Sequence, residues 1–202
     1  MKSAWYAAAI AAFASLSTLV TFAGQPARAG SNEIGISLTT QREPNDFNAS
    51  KSTVTSVSYR HSFDNNVLLG ATVKYYDLSH TTAWDLKSEA GLGYKYALSD
   101  AFSLVGMAWL GSNVRSNASD FVYYSLTASA DWKLTPIVTW SIVNLRYRNA
   151  FDTSYDFDTP AVGTALGFKI NDANSVSVGF TREWSDGKVS DNEIGVGYKY
   201  HF

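Results

Sequence analysis

The chain has 202 residues, a formal net charge of −2 and no cysteine. The lack of cysteine excludes a disulfide framework, thiol chemistry and a lipid-modified N-terminal cysteine. Near-balanced charge without a basic run argues against a nucleic-acid partner.

At the start, Lys2 precedes an uncharged, Ala-rich run from Ala4 to Gly24, and the small-x-small triplet Ala27-Arg28-Ala29 follows. That order of charge, apolar run and cleavage triplet is a secretory signal peptide. An uncleaved membrane anchor is the rival reading, since the run is about long enough to span a bilayer. Ser15, Ser17, Thr18 and Thr21 dilute it, however, and the triplet follows directly. Residues 1–29 are therefore assigned to a signal peptide and residues 30–202 to one domain. Without Lys2 and Arg28, 14 basic residues remain against 18 acidic ones.

From Asn32 onward the apolar residues recur by twos. Val57, Tyr59 and Phe63 alternate with Ser56, Ser58, Arg60 and Ser62, with His61 interrupting the apolar face. Leu92, Tyr94 and Tyr96 alternate with Gly91, Gly93 and Lys95. Leu166, Phe168 and Ile170 alternate with Ala165, Gly167 and Lys169, and Ile194, Val196, Tyr198, Tyr200 and Phe202 alternate with Glu193, Gly195, Gly197, Lys199 and His201. This is strand period, because successive side chains point to opposite faces.

The texture is an internal repeat: strand, tight turn, strand. It begins with SVSYRHSFDNNVLLGATVKYY and returns as GLGYKYALSDAFSLVGMAW, ADWKLTPIVTWSIVNLRYR and ALGFKINDANSVSVGFTREW. The closing GVGYKYHF supplies only the first half of the plan and NEIGISLTTQR only the second, so the two halves complete a fifth unit side by side. Short turns fall at Asp64–Asn66, Ser99–Ala101, Thr135-Pro136 and Asn171–Asn174. Longer polar loops fall near Glu43–Ser52, Ser79–Trp84, Asn113–Asp120, Asn149–Pro160 and Ser185–Asp191.

These nine connections predict ten strands, all antiparallel because each link is too short for a crossover. Three segments strain the count. The strand near Asn32 looks short. The strand holding Leu104 and Leu110 is apolar on its other face too, at Val105, Met107 and Trp109. In Ile137–Tyr147 the row Val138, Trp140, Ile142 gives way to Val143, Leu145, Tyr147. A bulge near Ile142-Val143 reconciles the two rows, because an extra residue flips the alternation. Merging or excluding two of these strands would give eight.

One face is large and aromatic; the other is small or charged. The charged set is Glu33, Arg60, Lys74, Lys87, Glu89, Lys95, Asp131, Lys133, Lys169, Glu183, Glu193 and Lys199. Unpaired charges make a poor dry core, so this set predicts a hydrated or salt-bridged lumen and the aromatic set predicts contact with lipid. Tyr94, Tyr96, Trp132, Phe168, Tyr198, Tyr200 and Phe202 would form a turn-side girdle, and Tyr75, Trp109, Tyr124, Tyr147 and Trp184 a loop-side one. The fold class is then all-β: a closed antiparallel up-and-down transmembrane β-barrel, which leaves no unpaired backbone edge in hydrocarbon.

Signal peptide, repeated hairpins, short turns, long acidic loops and a terminal aromatic together resemble a Gram-negative outer-membrane β-barrel. The resemblance implies an assembly signal in the last strand, matched here by Gly197, Tyr200 and Phe202. Gly195 stands where that signal has a polar residue. It further implies the barrel-assembly machinery as a partner during biogenesis, and outer-membrane lipid and lipopolysaccharide as surroundings. Turns and termini would be periplasmic, and the long loops extracellular.

Ten strands give a backbone radius of roughly 10 Å, too small for a general diffusion pore. The lumen-side glycines Gly91, Gly93, Gly163, Gly167, Gly179, Gly195 and Gly197 would either open space or relieve crowding. Three functions follow. The first is a membrane-integrity barrel or narrow passive pore. In it Lys95, Lys169 and Lys199 form a basic turn-side ring, or pair with Glu89, Glu183 and Glu193 and plug the barrel. The second is surface binding through the loop NAFDTSYDFDTP, with Asp152, Asp156 and Asp158 too sparse for a calcium loop. The third is a lipid- or peptide-acting enzyme, for which His80 near Asp77 or Asp85 is the one candidate. No enzyme, metal or cofactor is expected, since the histidines are scattered and no phosphate-cradling glycine loop appears.

Overall fold

The computed structural model describes residues 30–155 and 157–202. The signal-peptide assignment at 1–29 and the candidate Asp156 lie outside the described residues. Ten strands follow in order: β1 (Ser31–Arg42), β2 (Ser50–Ser62), β3 (Val67–Leu78), β4 (Trp84–Ala97), β5 (Phe102–Arg115), β6 (Phe121–Lys133), β7 (Val138–Ala150), β8 (Ala161–Lys169), β9 (Asn174–Ser185) and β10 (Lys188–His201). The described residues contain no helix. Each strand pairs antiparallel with its chain neighbours, and β1 pairs with β10 to close the barrel. The closing ladder runs from Glu33↔His201 to Arg42↔Asn192. Asn32 N–H donates to Phe202 O at 2.9 Å and Phe202 N–H to Asn32 O at 3.0 Å, so the final residue is tied into the seam. The strand count is ten, as expected, and not the alternative of eight. β1 is not short: it has 12 residues.

Alternation decides which face each side chain takes. Ile36, Leu38, Leu92, Leu110, Val196 and Phe202 stand outward with more than half of their surface exposed. In water such a surface would be unstable; in hydrocarbon it is the stable one. The outer aromatic residues gather at the strand ends. Tyr200 and Phe202 stack at 5.7 Å on the turn side, and Tyr75 and Trp84 at 6.2 Å on the loop side.

The predicted change of face in β7 is a bulge. Asp131 pairs with Ser141 and Ala130 with Val143, so Ile142 is the extra residue. On the other side, Ser141 pairs with Ala165 and Asn144 with Gly163, leaving Thr164 opposite two residues. The ladder is broken there, and a side chain repairs it. Thr164 Oγ1 donates to Ser141 O at 2.9 Å and accepts from Trp140 Nε1 at 2.9 Å.

Two expectations are corrected. Ser185–Asp191 is not a long loop: Asp186 and Gly187, at φ 51° and 69°, form a two-residue hairpin turn, as the left-handed conformation at both central positions requires. Trp109 does not join the outer girdle. It pairs with Gly91 and Ser125 on the inward row, and its Nε1 donates to Thr127 Oγ1 at 3.1 Å. The ring needs room: a Cβ at Gly70 or Gly91 would lie 2.6 Å from it. Those two glycines relieve crowding.

Candidate functional site: the barrel lumen

The inward row of each strand is short, polar or charged, so the strands bring ionic groups together inside the barrel. They do so in two layers. In the loop-side half, Glu183 on β9 accepts from two β7 guanidiniums, Arg146 Nη2 and Arg148 Nη2, the second at 2.8 Å. Arg148 Nε donates to Thr159 Oγ1 at 3.2 Å. Across the lumen Lys74 Nζ donates to Glu89 Oε2 at 3.1 Å. Gln41 Nε2 donates to Glu193 Oε1 at 2.8 Å, and Gln41 Oε1 accepts from Ser52 Oγ. Arg148, Tyr123, Ser52 and Ser125 are fully buried.

Above this layer sits the connection between β7 and β8. Phe157 packs edge-on to Tyr123 at 5.1 Å and to Phe121 at 4.8 Å, and Tyr155 stacks on Phe121 at 4.9 Å. Lys87 Nζ lies 4.1 Å from the Tyr76 ring and 5.3 Å from the Phe157 ring; the Arg148 guanidinium lies 5.1 Å from Phe157. Carboxylates and aromatic faces together surround these cations, and an inward aromatic side chain lies over the ionic layer at this end.

The turn-side half is different. Lys199 Nζ pairs with Glu33 Oε1 at 3.0 Å, and Asp131 is held by Ser141 Oγ and by Ser129 Oγ at 3.3 Å. Lys169 reaches out to Asp172 in the turn at 2.5 Å, which holds the Asp172 carboxyl below its usual range. Arg60, Lys95 and Lys133 have no ion pair among the described residues. Between the layers lies a cavity of about 300 Å³ lined by Arg60, Met107, Trp109, Ser129, Asn144 and Arg146. The turn-side lumen wall therefore carries three cations without an ion pair, while Asp64 and Asp100 stand in the turns around it.

The expected pairing of Lys95, Lys169 and Lys199 with Glu89, Glu183 and Glu193 does not occur. Lys95 and Lys199 each lie six residues from Glu89 and Glu193 along their own strands, about 20 Å at strand rise, and Lys169 on β8 pairs with Ser175, eight residues along β9 from Glu183. The three lysines sit at the turn side and the three glutamates at the loop side, and cross-strand neighbours take both. Arg146 and Arg148 were absent from the sequence-based set. Moving the β7 alternation by one at Ile142 puts both on the lumen row, so the signal was present.

The loop candidates divide. Asp152 Oδ1 accepts from the Ser154 N–H at 2.9 Å, which keeps its carboxyl below the usual range. Asp152 and Asp158 are exposed. Phe151 is 58% exposed, while Tyr155 and Phe157 turn toward the lumen. His80 is exposed at φ 62°. Among the described residues no group of three or more His, Cys, Asp or Glu could hold a metal ion.

No family model and no curated protein matches the sequence. Solved structures do match. The chain is similar to the KdgM porin at 16% identity and TM-score 0.50, over 84% of this chain and 99% of that one. It is similar to an outer membrane channel from Pseudomonas putida F1 at 10% identity and TM-score 0.50, over 86% of this chain and 96% of that one. The β domain of the Bordetella autotransporter Brka matches at 10% identity and TM-score 0.56, over 85% of this chain and 99% of that one. At these identities the shared property is the transmembrane barrel fold, which hosts more than one function.

Proposed function

We propose that this chain, a closed ten-stranded barrel of porin-like architecture, resides in the outer membrane as a barrel sealed at its loop end, with a structural role in membrane integrity. The supporting observation is the buried layer of Arg146, Arg148, Glu183, Lys74 and Glu89 capped by Phe157. A ten-stranded lumen has little spare room, and this layer fills one end of it. Turns and termini face the periplasm in this reading, the long loops face outward, and the barrel-assembly machinery reads Gly197, Tyr200 and Phe202. Catalysis is not part of this reading.

A second reading, a narrow passive pore, is favoured by the cavity of about 300 Å³ at Arg60 and Trp109. The cap above the seal is a loop side chain, which can leave without breaking any strand pair. The unpaired Arg60, Lys95 and Lys133 on the turn-side lumen wall would then favour anions. Surface binding through the loops has less support, because two of the three aromatic residues it would use face inward.

Conductance in planar bilayers separates the readings. The sealed barrel is expected to give no steady openings as wild type, and small anion-selective openings once Phe157→Ala removes the cap. Steady openings from the wild-type protein would sink the sealed reading and establish the pore.

A further inference from the structure

The outer surface is not uniform. Beside the β7 bulge it is hollowed into a trough of about 430 Å³, lined by Ile142, Val143, Val162, Thr164, Phe180, Arg182 and Trp184. The volume lies within the usual range for small-molecule sites, about 300–1,000 Å³. The trough exists because Ile142 and Val143 face a single residue of β8, Thr164, which parts the strands.

Arg182 stands at the loop-side end of this apolar floor. It pairs with Val162 on one side and Asn192 on the other, both on the outward row, and it is exposed. Its Nε donates to Asn192 Oδ1 at 2.8 Å. The two terminal nitrogens have no partner among the described hydrogen bonds. Asn192 also pairs with Arg42 of β1, so a second guanidinium shares the row. Acidic neighbours face elsewhere: Glu183 takes the inward row and bonds Arg146 and Arg148, and Asp191 pairs with Glu183 on that same row.

A cation on the outside of a barrel is costly in hydrocarbon unless it reaches the headgroup zone and meets an anion. Arg182 lies three residues below the loop-side end of β9, about 10 Å along the strand. Trp184, on the same face nearer the end, suits the same zone.

We propose that this trough binds lipopolysaccharide through its lipid A part: an acyl chain lies on Val143, Val162 and Phe180, and a lipid A phosphate takes the free nitrogens of Arg182. The inference rests on the membrane reading but not on whether the lumen is sealed.

The test is native mass spectrometry of the folded barrel in detergent, with lipid A, phosphatidylglycerol or phosphatidylcholine added. Wild type is expected to retain lipid A about fivefold more than Arg182→Gln, with Arg182→Lys close to wild type. Deleting Ile142 restores regular pairing, closes the trough and should lower retention by a similar factor, while phosphatidylcholine retention stays the same in every variant. Equal lipid A retention in wild type and Arg182→Gln would overturn the proposal, as would displacement of lipid A by an equal amount of phosphatidylglycerol. Insertion of the same preparation into vesicles is scored separately. Failure to insert overturns the membrane reading, whereas insertion without lipid A selectivity overturns only the trough.

Discussion

Glu183 is the residue on which the loop-side ionic layer turns. It is 6% exposed and serves two arginines, of which Arg148 is 2% exposed. Removing one partner of a buried ionic group leaves uncompensated charge, which costs about 3–5 kcal/mol. Glu183→Gln is therefore expected to lower the unfolding free energy in urea-treated vesicles by about 3 kcal/mol. Lys95→Ala, at an exposed position of the turn-side mouth, is expected to stay within about 0.5 kcal/mol. Equal effects of the two would contradict the division of the lumen into a paired half and an open half.

At the scale of the strand, the β7 bulge depends on Thr164. Its hydroxyl serves both the carbonyl of Ser141 and the indole N–H of Trp140, where no water competes. Thr164→Val keeps the shape and removes both bonds. A loss of about 1–3 kcal/mol is expected in the same unfolding measurement. Gly187→Val places a branched side chain at φ 69° and is expected to cost about 1–2 kcal/mol. This strand was legible in the sequence because its two apolar rows, Val138-Trp140 and Val143-Leu145-Tyr147, disagree in phase. The partners of its charges were less legible. Strand period tells which face a side chain takes but not how far along the barrel its neighbour lies, so Lys95 and Glu89 shared a face without being able to meet. Trp109 was misplaced for a related reason: with apolar residues on both rows of β5, only the glycines opposite it, Gly70 and Gly91, reveal the lumen side. The Asp186-Gly187 hairpin was missed because the polar run around it reads as loop, although Asp-Gly is itself a turn signal.

For the whole molecule, the ordering of solvents is the reverse of a water-soluble protein: ionic inside, apolar outside. Lipids with brominated tails give a direct check on single-tryptophan variants. Trp132, 43% exposed on the outer face, is expected to be strongly quenched, and Trp109 to be left bright; quenching of Trp109 would place the wrong face in the bilayer. Closure has a further consequence, for timing. The ladder joining β1 to β10 pairs residues from opposite ends of the described chain, Glu33 with His201 and Arg42 with Asn192. Until that clasp fastens, both flanking strands present bare amides to hydrocarbon, and no smaller ring of strands offers a resting place on the way. Insertion is then expected to be all-or-none, with the meeting of the two far ends of the polypeptide as its slowest step.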